Sequence, residues 1–385
     1  MTIVSARDPL RLQSYAARIE RTREQMRTAG IDLLIAYGNN RHSFIAMNPG
    51  WWLTGFKQVG EHIAVLLPID DEPLFIITPK WDRERAEERS AIPNVIACEP
   101  AEFLDTVKAE IAGRGWARAR TAVSGGLQMP RYLRESWPAA LGQEPTNADQ
   151  MMSDLAKVRD DWSLKCTMAA VEIAEKGYAR LLETARPGMM EHHVAGELEA
   201  YVRSLGAEDN FQLLSASQHN RSVHMPTNRV LQQGDILLGE ITPAVEGEYI
   251  QICRTAVFGK PTALQQEKFA MLDEALRSGM AAARPGVSTA DVVAAMNEPI
   301  IRAGYEKYTV PPYMRTRGHS MSLGSMDPEI STFSGHILVK GSVFVMHPNQ
   351  YIPDTGYFMC GEPVIITDEG AKPLTSRMGE LGSIL

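Results

Sequence analysis

The chain has 385 residues, 44% hydrophobic and 22% charged, with 39 Lys and Arg against 47 Asp and Glu for a net charge of −8. That length predicts about two domains. The composition excludes wholesale disorder, and the acidic balance leaves no footprint for nucleic acid or an anionic membrane surface. Four scattered cysteines, Cys98, Cys166, Cys253 and Cys360, suit neither a disulfide framework nor a CxxC metal site. No apolar leader opens the sequence, and no apolar run approaches the ~20 residues of a spanning helix, so a cytoplasmic protein with reduced thiols is expected.

Residues 11–29 place Leu12, Tyr15, Ile19, Met26 and Ala29 at helical spacing among charged residues, and Gly30 closes that helix. Asp32–Tyr37 predicts a buried strand, followed by strands at Ile63–Leu67 and Leu74–Ile77 and a charged helix over Trp81–Arg89. This order is that of a small α/β domain. Trp137-Pro138 and Pro145-Thr146-Asn147 bracket a polar stretch that reads as a linker near residue 150. Helices are predicted over 160–185 and 191–205, split by Pro187-Gly188, then strands at 235–238 and 248–257. A second helix pair over 263–283 and 289–303, split by Pro285-Gly286, leads to strands at 342–346 and 363–367. Helix pair followed by strands therefore occurs twice, a weak internal duplication.

No glycine-rich phosphate loop, GxSxG elbow or HExxH helix is present. The informative segment is 221–258. It carries His224-x-Pro226 with Thr227-Asn228-Arg229, then Gly234-Asp235-Ile236-Leu237-Leu238, Gly247 and Arg254-Thr255. Downstream come Arg317-Gly318-His319 and Val343-Phe344-Val345-Met346-His347-Pro348, and upstream Trp52-Leu53-Thr54-Gly55-Phe56. Together these resemble the family of creatinases, prolidases, aminopeptidase P and methionine aminopeptidases over nearly the whole chain. The resemblance implies an α/β (α+β) architecture: a small α/β domain over 1–150 and a C-terminal pita-bread domain over 151–385, duplicated helix–helix–strand halves around a curved antiparallel sheet. It also implies a homodimer, with Trp51, Trp52 and Phe56 near the dimer contact.

The departures from the family pattern matter more. Its peptidases hold two metal ions with Asp, Asp, His, Glu and Glu. Those positions are here Glu240, Gln251, His319, His347, and either Gly361 or, with a one-residue shift, Glu362; a further catalytic histidine is replaced by Met326. Two divalent ions bring four positive charges, and Glu240 with Glu362 offsets only part of them in a buried site. A dinuclear centre is therefore not expected. No cofactor is the leading expectation, as in creatinases of this fold. The alternative is one Zn or Fe ion held by Glu240, His319 and His347, a two-His-one-carboxylate set with an open position.

Under the metal-free reading His224 aligns with the creatinase histidine that handles the proton, and its ordinary pKa suits transfer near neutrality. His319, His347 and Glu240 complete the expected catalytic group, and Gln251, Cys253, His219 and Glu362 the substrate contacts. Cys253 is weighed as a thiolate nucleophile or a small buried strand residue. His192 and His193 read as surface or capping groups, and His42, His62 and His336 have no motif support. The two creatinase glutamates that anchor a guanidinium fall on Cys253 and His347, which argues against creatine itself. The expected activity is hydrolysis of a C–N bond in a small amide, amidine, cyclic amidine or dipeptide-like metabolite. Alternatives are a single-metal Xaa-Pro peptidase, a lyase of the dimethylsulfoniopropionate-cleaving type, and a non-catalytic binding protein. A small-molecule substrate is expected, with neither nucleic acid nor membrane as partner.

Overall fold

The computed structural model describes residues 5–40, 45–323 and 326–385, so His42 lies outside the described residues. These form two compact units, one ending at Trp162 and one spanning Ser163–Leu385.

The first unit opens with α1 (Pro9–Ala29). Asp8 caps it by accepting from the Leu10 N–H, Pro9 occupies its first turn, and Gly30 ends it. Its buried face differs from the apolar stripe expected. Leu12 is exposed, while Arg11 and Arg18 are fully buried beside Tyr15 and Met26. The reason is hydrogen bonding. Arg11 donates to the carbonyls of Gly55 and Arg89, and Arg18 to the Trp52 carbonyl and the Asp160 carboxylate. Buried guanidinium groups are tolerated when their donors are paired.

β1 (Leu33–Gly38), α2 (Pro49–Thr54), β2 (Ile63–Pro68), β3 (Leu74–Ile77), α3 (Arg83–Arg89), β4 (Val95–Ala97), α4 (Phe103–Gly113), β5 (Thr121–Ser124), α5 (Arg131–Leu141), β6 (Thr146–Asn147) and α6 (Asp149–Lys157) follow. The six strands form one sheet in the order β4-β3-β2-β1-β5-β6, with only β2 antiparallel to its neighbours. The expected linker is not one. Trp137 is buried within α5, Pro138 is accepted inside that helix, and Thr146-Asn147 pairs with β5. Burial of the Trp137 ring among Met129, Leu133 and Leu141 offsets the backbone bond that Pro138 forfeits. The division consequently falls at 162/163 rather than near 150. Trp51, Trp52 and Phe56 are buried rather than displayed. Lys57 covers Trp51, Arg18 covers Trp52, and Phe75 packs edge-on against Phe56.

The second unit contains α7 (Asp161–Thr184, beginning two residues early), α8 (Glu191–Ser204), β7 (Asp209–Ser217), β8 (Ile236–Val245), β9 (Glu248–Tyr249) and β10 (Ile252–Phe258). Then come α9 (Ala263–Ala282), α10 (Thr289–Arg302), β11 (Gly318–Ser320), β12 (Val343–Met346), β13 (Gln350–Ile352), β14 (Gly356–Phe358), β15 (Glu362–Thr367), β16 (Gly370–Pro373) and β17 (Gly382–Ile384). One sheet runs β17-β10-β8-β7 with β9 on β8, and another runs β11-β12-β15-β16. A bridge between Cys253 and Gly361, exchanging both backbone hydrogen bonds at 3.1 Å, joins the two sheets. Each half is thus a helix pair followed by strands. α9 and α10 cross closely at Gly279, where an added Cβ would meet Met296 at 2.2 Å.

Candidate active site

The junction of the two sheets gathers the residues singled out above. Register places Leu213, Glu240, Cys253 and Gly361 in one row across β7, β8, β10 and the start of β15. Directly opposed residues share a face of the sheet, so Glu240 and Cys253 project together, with Gln251 two residues before Cys253 on the same side. From the other sheet, His319 lies on β11 opposite Val345, and His347 follows β12 with its N–H donating to the Arg317 carbonyl at 2.9 Å. The two imidazole rings meet edge to face, centroids 5.4 Å apart.

Burial sets the charges. Glu240 is pushed up to about 7 by desolvation, opposed by the Gln251 amide facing its carboxyl. His319 is driven down to about 4 by burial, against a hydrogen bond from Nδ1 to the Ser320 carbonyl at 3.1 Å. His347 falls to about 3 through burial, its neighbour His319 and the nearby Arg317. Both imidazoles are therefore neutral at neutral pH. The Cys253 thiol is pushed well above its ordinary value by burial and by Glu240. Of the two readings of this residue, the structure shows the small buried strand residue; a thiolate is disfavoured there.

Two further residues belong here that the sequence reading missed. Arg317 is fully buried beside the histidines, and its guanidinium donates to Asn297 Oδ1, the Asn349 carbonyl and Gln350 Oε1, all uncharged. Burial lowers it to about 10. Tyr357 on β14 lies within electrostatic reach of Glu240, Cys253 and Arg317, and burial raises its hydroxyl. Only the Arg-Gly-His context hinted at Arg317. Tyr357 is positioned by a hairpin whose placement no local motif announces.

Glu362 is not in this cluster. Its carboxylate is fully buried on Arg254 at 2.9 Å and accepts from Thr375 Oγ1 and the Gly379 N–H. Strand alternation turns it to the opposite face, so the fifth family position is Gly361. A Cβ on Gly361 would stand 2.7 Å from the His347 Cβ and 2.9 Å from the Cys253 Sγ. Gly361 therefore brings no side chain to the cluster, and its neighbours at 347 and 253 pack directly against its backbone.

His224 is exposed on the loop after β7, its carbonyl accepting from Leu214 N–H, itself opposite Gly239 on β8. The loop is held by a buried Glu191, which accepts from Ala216 N–H and from the Thr227 N–H and hydroxyl, and by an Arg229–Asp235 ion pair at 2.6 Å. His224 Nδ1 lies 2.8 Å from the Met225 carbonyl. A carbonyl only accepts, so Nδ1 carries the proton and Nε2 a free lone pair. His219 is exposed and engages the β13–β14 hairpin instead, through the Pro353 carbonyl and the Tyr351 ring. His192 and His193 are exposed at the start of α8.

The profile of metallopeptidase family M24 matches residues 165–368, and that of the creatinase/prolidase N-terminal domain matches residues 18–156. The chain belongs to metallopeptidase family M24. It is thereby a hydrolase of the creatinase and Xaa-Pro peptidase superfamily. Among its relatives, the Xaa-Pro dipeptidase of Pyrococcus furiosus is 26% identical over 81% of this chain and 87% of its own length. The probable dipeptidase PepE of Mycobacterium tuberculosis is 28% identical over 68% of this chain and 72% of its own. The fold matches the solved prolidase of Pyrococcus horikoshii with a TM-score of 0.80 at 21% identity, covering 95% of this chain and 99% of that one. In this M24 member the donor set does not suit the family's paired metal ions. Gly361 supplies nothing, and Gln251, His319 and His347 are neutral. Among the described residues no three His, Cys, Asp or Glu side chains converge to hold an ion, including Glu240, His319 and His347. Nor is any helix among them long and apolar enough to cross a membrane.

Proposed function

We propose that this M24 member hydrolyses the C–N bond of a small amide-type metabolite without a dinuclear metal centre. The observation that carries this reading is Gly361 itself, which offers no side chain at the position of the fifth ligand and sits against the Cβ atoms of His347 and Cys253. His224 is the general base. Its bare Nε2 takes a proton from water as the water oxygen adds to the substrate carbonyl carbon. The C–N bond then breaks, and that proton leaves on the departing amine, so that one water is consumed and two products form. Protonated Glu240 and the Tyr357 hydroxyl are the donors available to the oxyanion as it develops. His319 and His347, held neutral, orient the substrate, and Arg317 adds a fixed positive charge behind them.

The test combines metal analysis of the purified protein with turnover of small amides, with and without a chelator. Substoichiometric metal and chelator-resistant turnover that is abolished in His224→Ala support the reading; stoichiometric zinc or iron required for turnover overturns it. A second reading rests on the names of the relatives: a metal-dependent peptidase acting on Xaa-Pro dipeptides. Chelator-sensitive release of proline would establish it. A homodimer is proposed in either case, checked by light scattering.

A further inference from the structure

The hydrogen-bonding polarity of the site narrows the substrate class, and this step rests on the amide-hydrolase reading above. Gln251 is 3% exposed, and its Oε1 is buried with no hydrogen-bond partner. The amide group of the same side chain faces the Glu240 carboxyl, which leaves Oε1 as an unused acceptor. His319 is 4% exposed and spends its only N–H on the Ser320 carbonyl, so its Nε2 presents a lone pair. His347 Nδ1 is likewise buried, with no hydrogen-bond partner outside its own residue. Buried polar atoms without partners are costly and rare in native proteins. Two such atoms, Gln251 Oε1 and His347 Nδ1, belong to side chains of one cluster, beside the His319 Nε2 lone pair; Gln251 Oε1 and His319 Nε2 can only accept. Glu240 and Tyr357 keep partial exposure, so the cluster is not sealed from a ligand.

We propose that the site selects its substrate by the hydrogens on the scissile nitrogen: neutral carboxamides and ureas bearing N–H groups are accepted, and N,N-disubstituted amides are refused. The N–H groups satisfy Gln251 Oε1 and His319 Nε2. A cationic amidinium is disfavoured because Glu240 is the one carboxylate in the cluster and Arg317 stands behind it with uncharged partners. An X-Pro bond has no hydrogen on its amide nitrogen and leaves both acceptors unpaired, so the chain should discriminate against dipeptides ending in proline.

The experiment is isothermal titration of the full-length protein with isobutyramide, its N-methyl and N,N-dimethyl derivatives, and Ala-Pro. Each N–H removed should weaken binding by about tenfold, the usual consequence of leaving a buried acceptor unpaired. Gln251→Leu should level the series. Equal binding of the dimethyl compound, preference for Ala-Pro, binding of none of the amides, or a series left unchanged by Gln251→Leu each overturns the proposal. The wild-type series stands by itself where the variant does not fold. Binding order is read without turnover, so this proposal and the metal-free hydrolase reading can fail separately.

Discussion

The two faces of the strand junction at β10 and β15 are built from adjacent residues yet have opposite characters. On one face Arg254 and Glu362 form a fully buried ion pair, the carboxylate also accepting from Thr375 and Gly379. On the other, one residue earlier on each strand, Cys253 and Gly361 stand with Glu240, Gln251 and His347, and hydrogen-bonding atoms are left over. The saturated face holds the sheets together. The unsaturated face sacrifices hydrogen bonds, as sites that must bind something else do. A one-residue difference in register decides which of the two a carboxylate serves.

The sharpest break of that contrast is Glu362→Ala. It leaves the Arg254 guanidinium buried without its partner and should cost about 3–5 kcal/mol in urea denaturation. A loss under about 1 kcal/mol would mean that this face is not structural. Next comes the pH response of the histidines. Their folded pKa values are depressed, so the stability they contribute is full above the unfolded value near 6.5 and is lost as pH falls through about 4. For His319 alone this amounts to about 3 kcal/mol, and His319→Asn should flatten the acid limb of a plot of stability against pH between 6.5 and 4.

Gly361→Ala should cost about 1–3 kcal/mol through overpacking, and Cys253→Gly in the same chain should recover part of that loss in thermal denaturation. Glu240 gives the opposite pH response, because its folded pKa is raised. Stability associated with its protonated form is present below the unfolded value near 4.5 and lost as pH rises through about 7. Glu240→Gln should therefore be more stable than the parent at pH 8 and equal to it at pH 5, while losing turnover. A variant destabilised at both pH values would show that Glu240 belongs with the structural face.

The sequence reading was strongest where periodicity and breakers are local. Leu74–Ile77, the helix pairs around Pro187 and Pro285, and the strand containing Cys253 are in the structure within a few residues of expectation. It failed where burial of a side chain overrides a breaker: Trp137 carries Pro138 into α5, and carbonyl partners carry Arg11 and Arg18 into a helix core. At the site, His319, His347, Glu240 and Gln251 were legible from family spacing. Whether Gly361 or Glu362 faced them was not, because that depends on which side of β15 a residue leaves the sheet. Arg317 and Tyr357 were missed because their roles depend on distant partners, and the contact of His219 with the hairpin that carries Tyr357 is equally non-local.

The tight packing at Gly361 also bears on how the two sheets are joined. An added Cβ would meet the Cβ atoms of His347 and Cys253 as well as the Cys253 Sγ, so glycine is what lets the two sheets approach one another here. A single residue without a side chain thus sets the spacing at which the two halves of this unit meet.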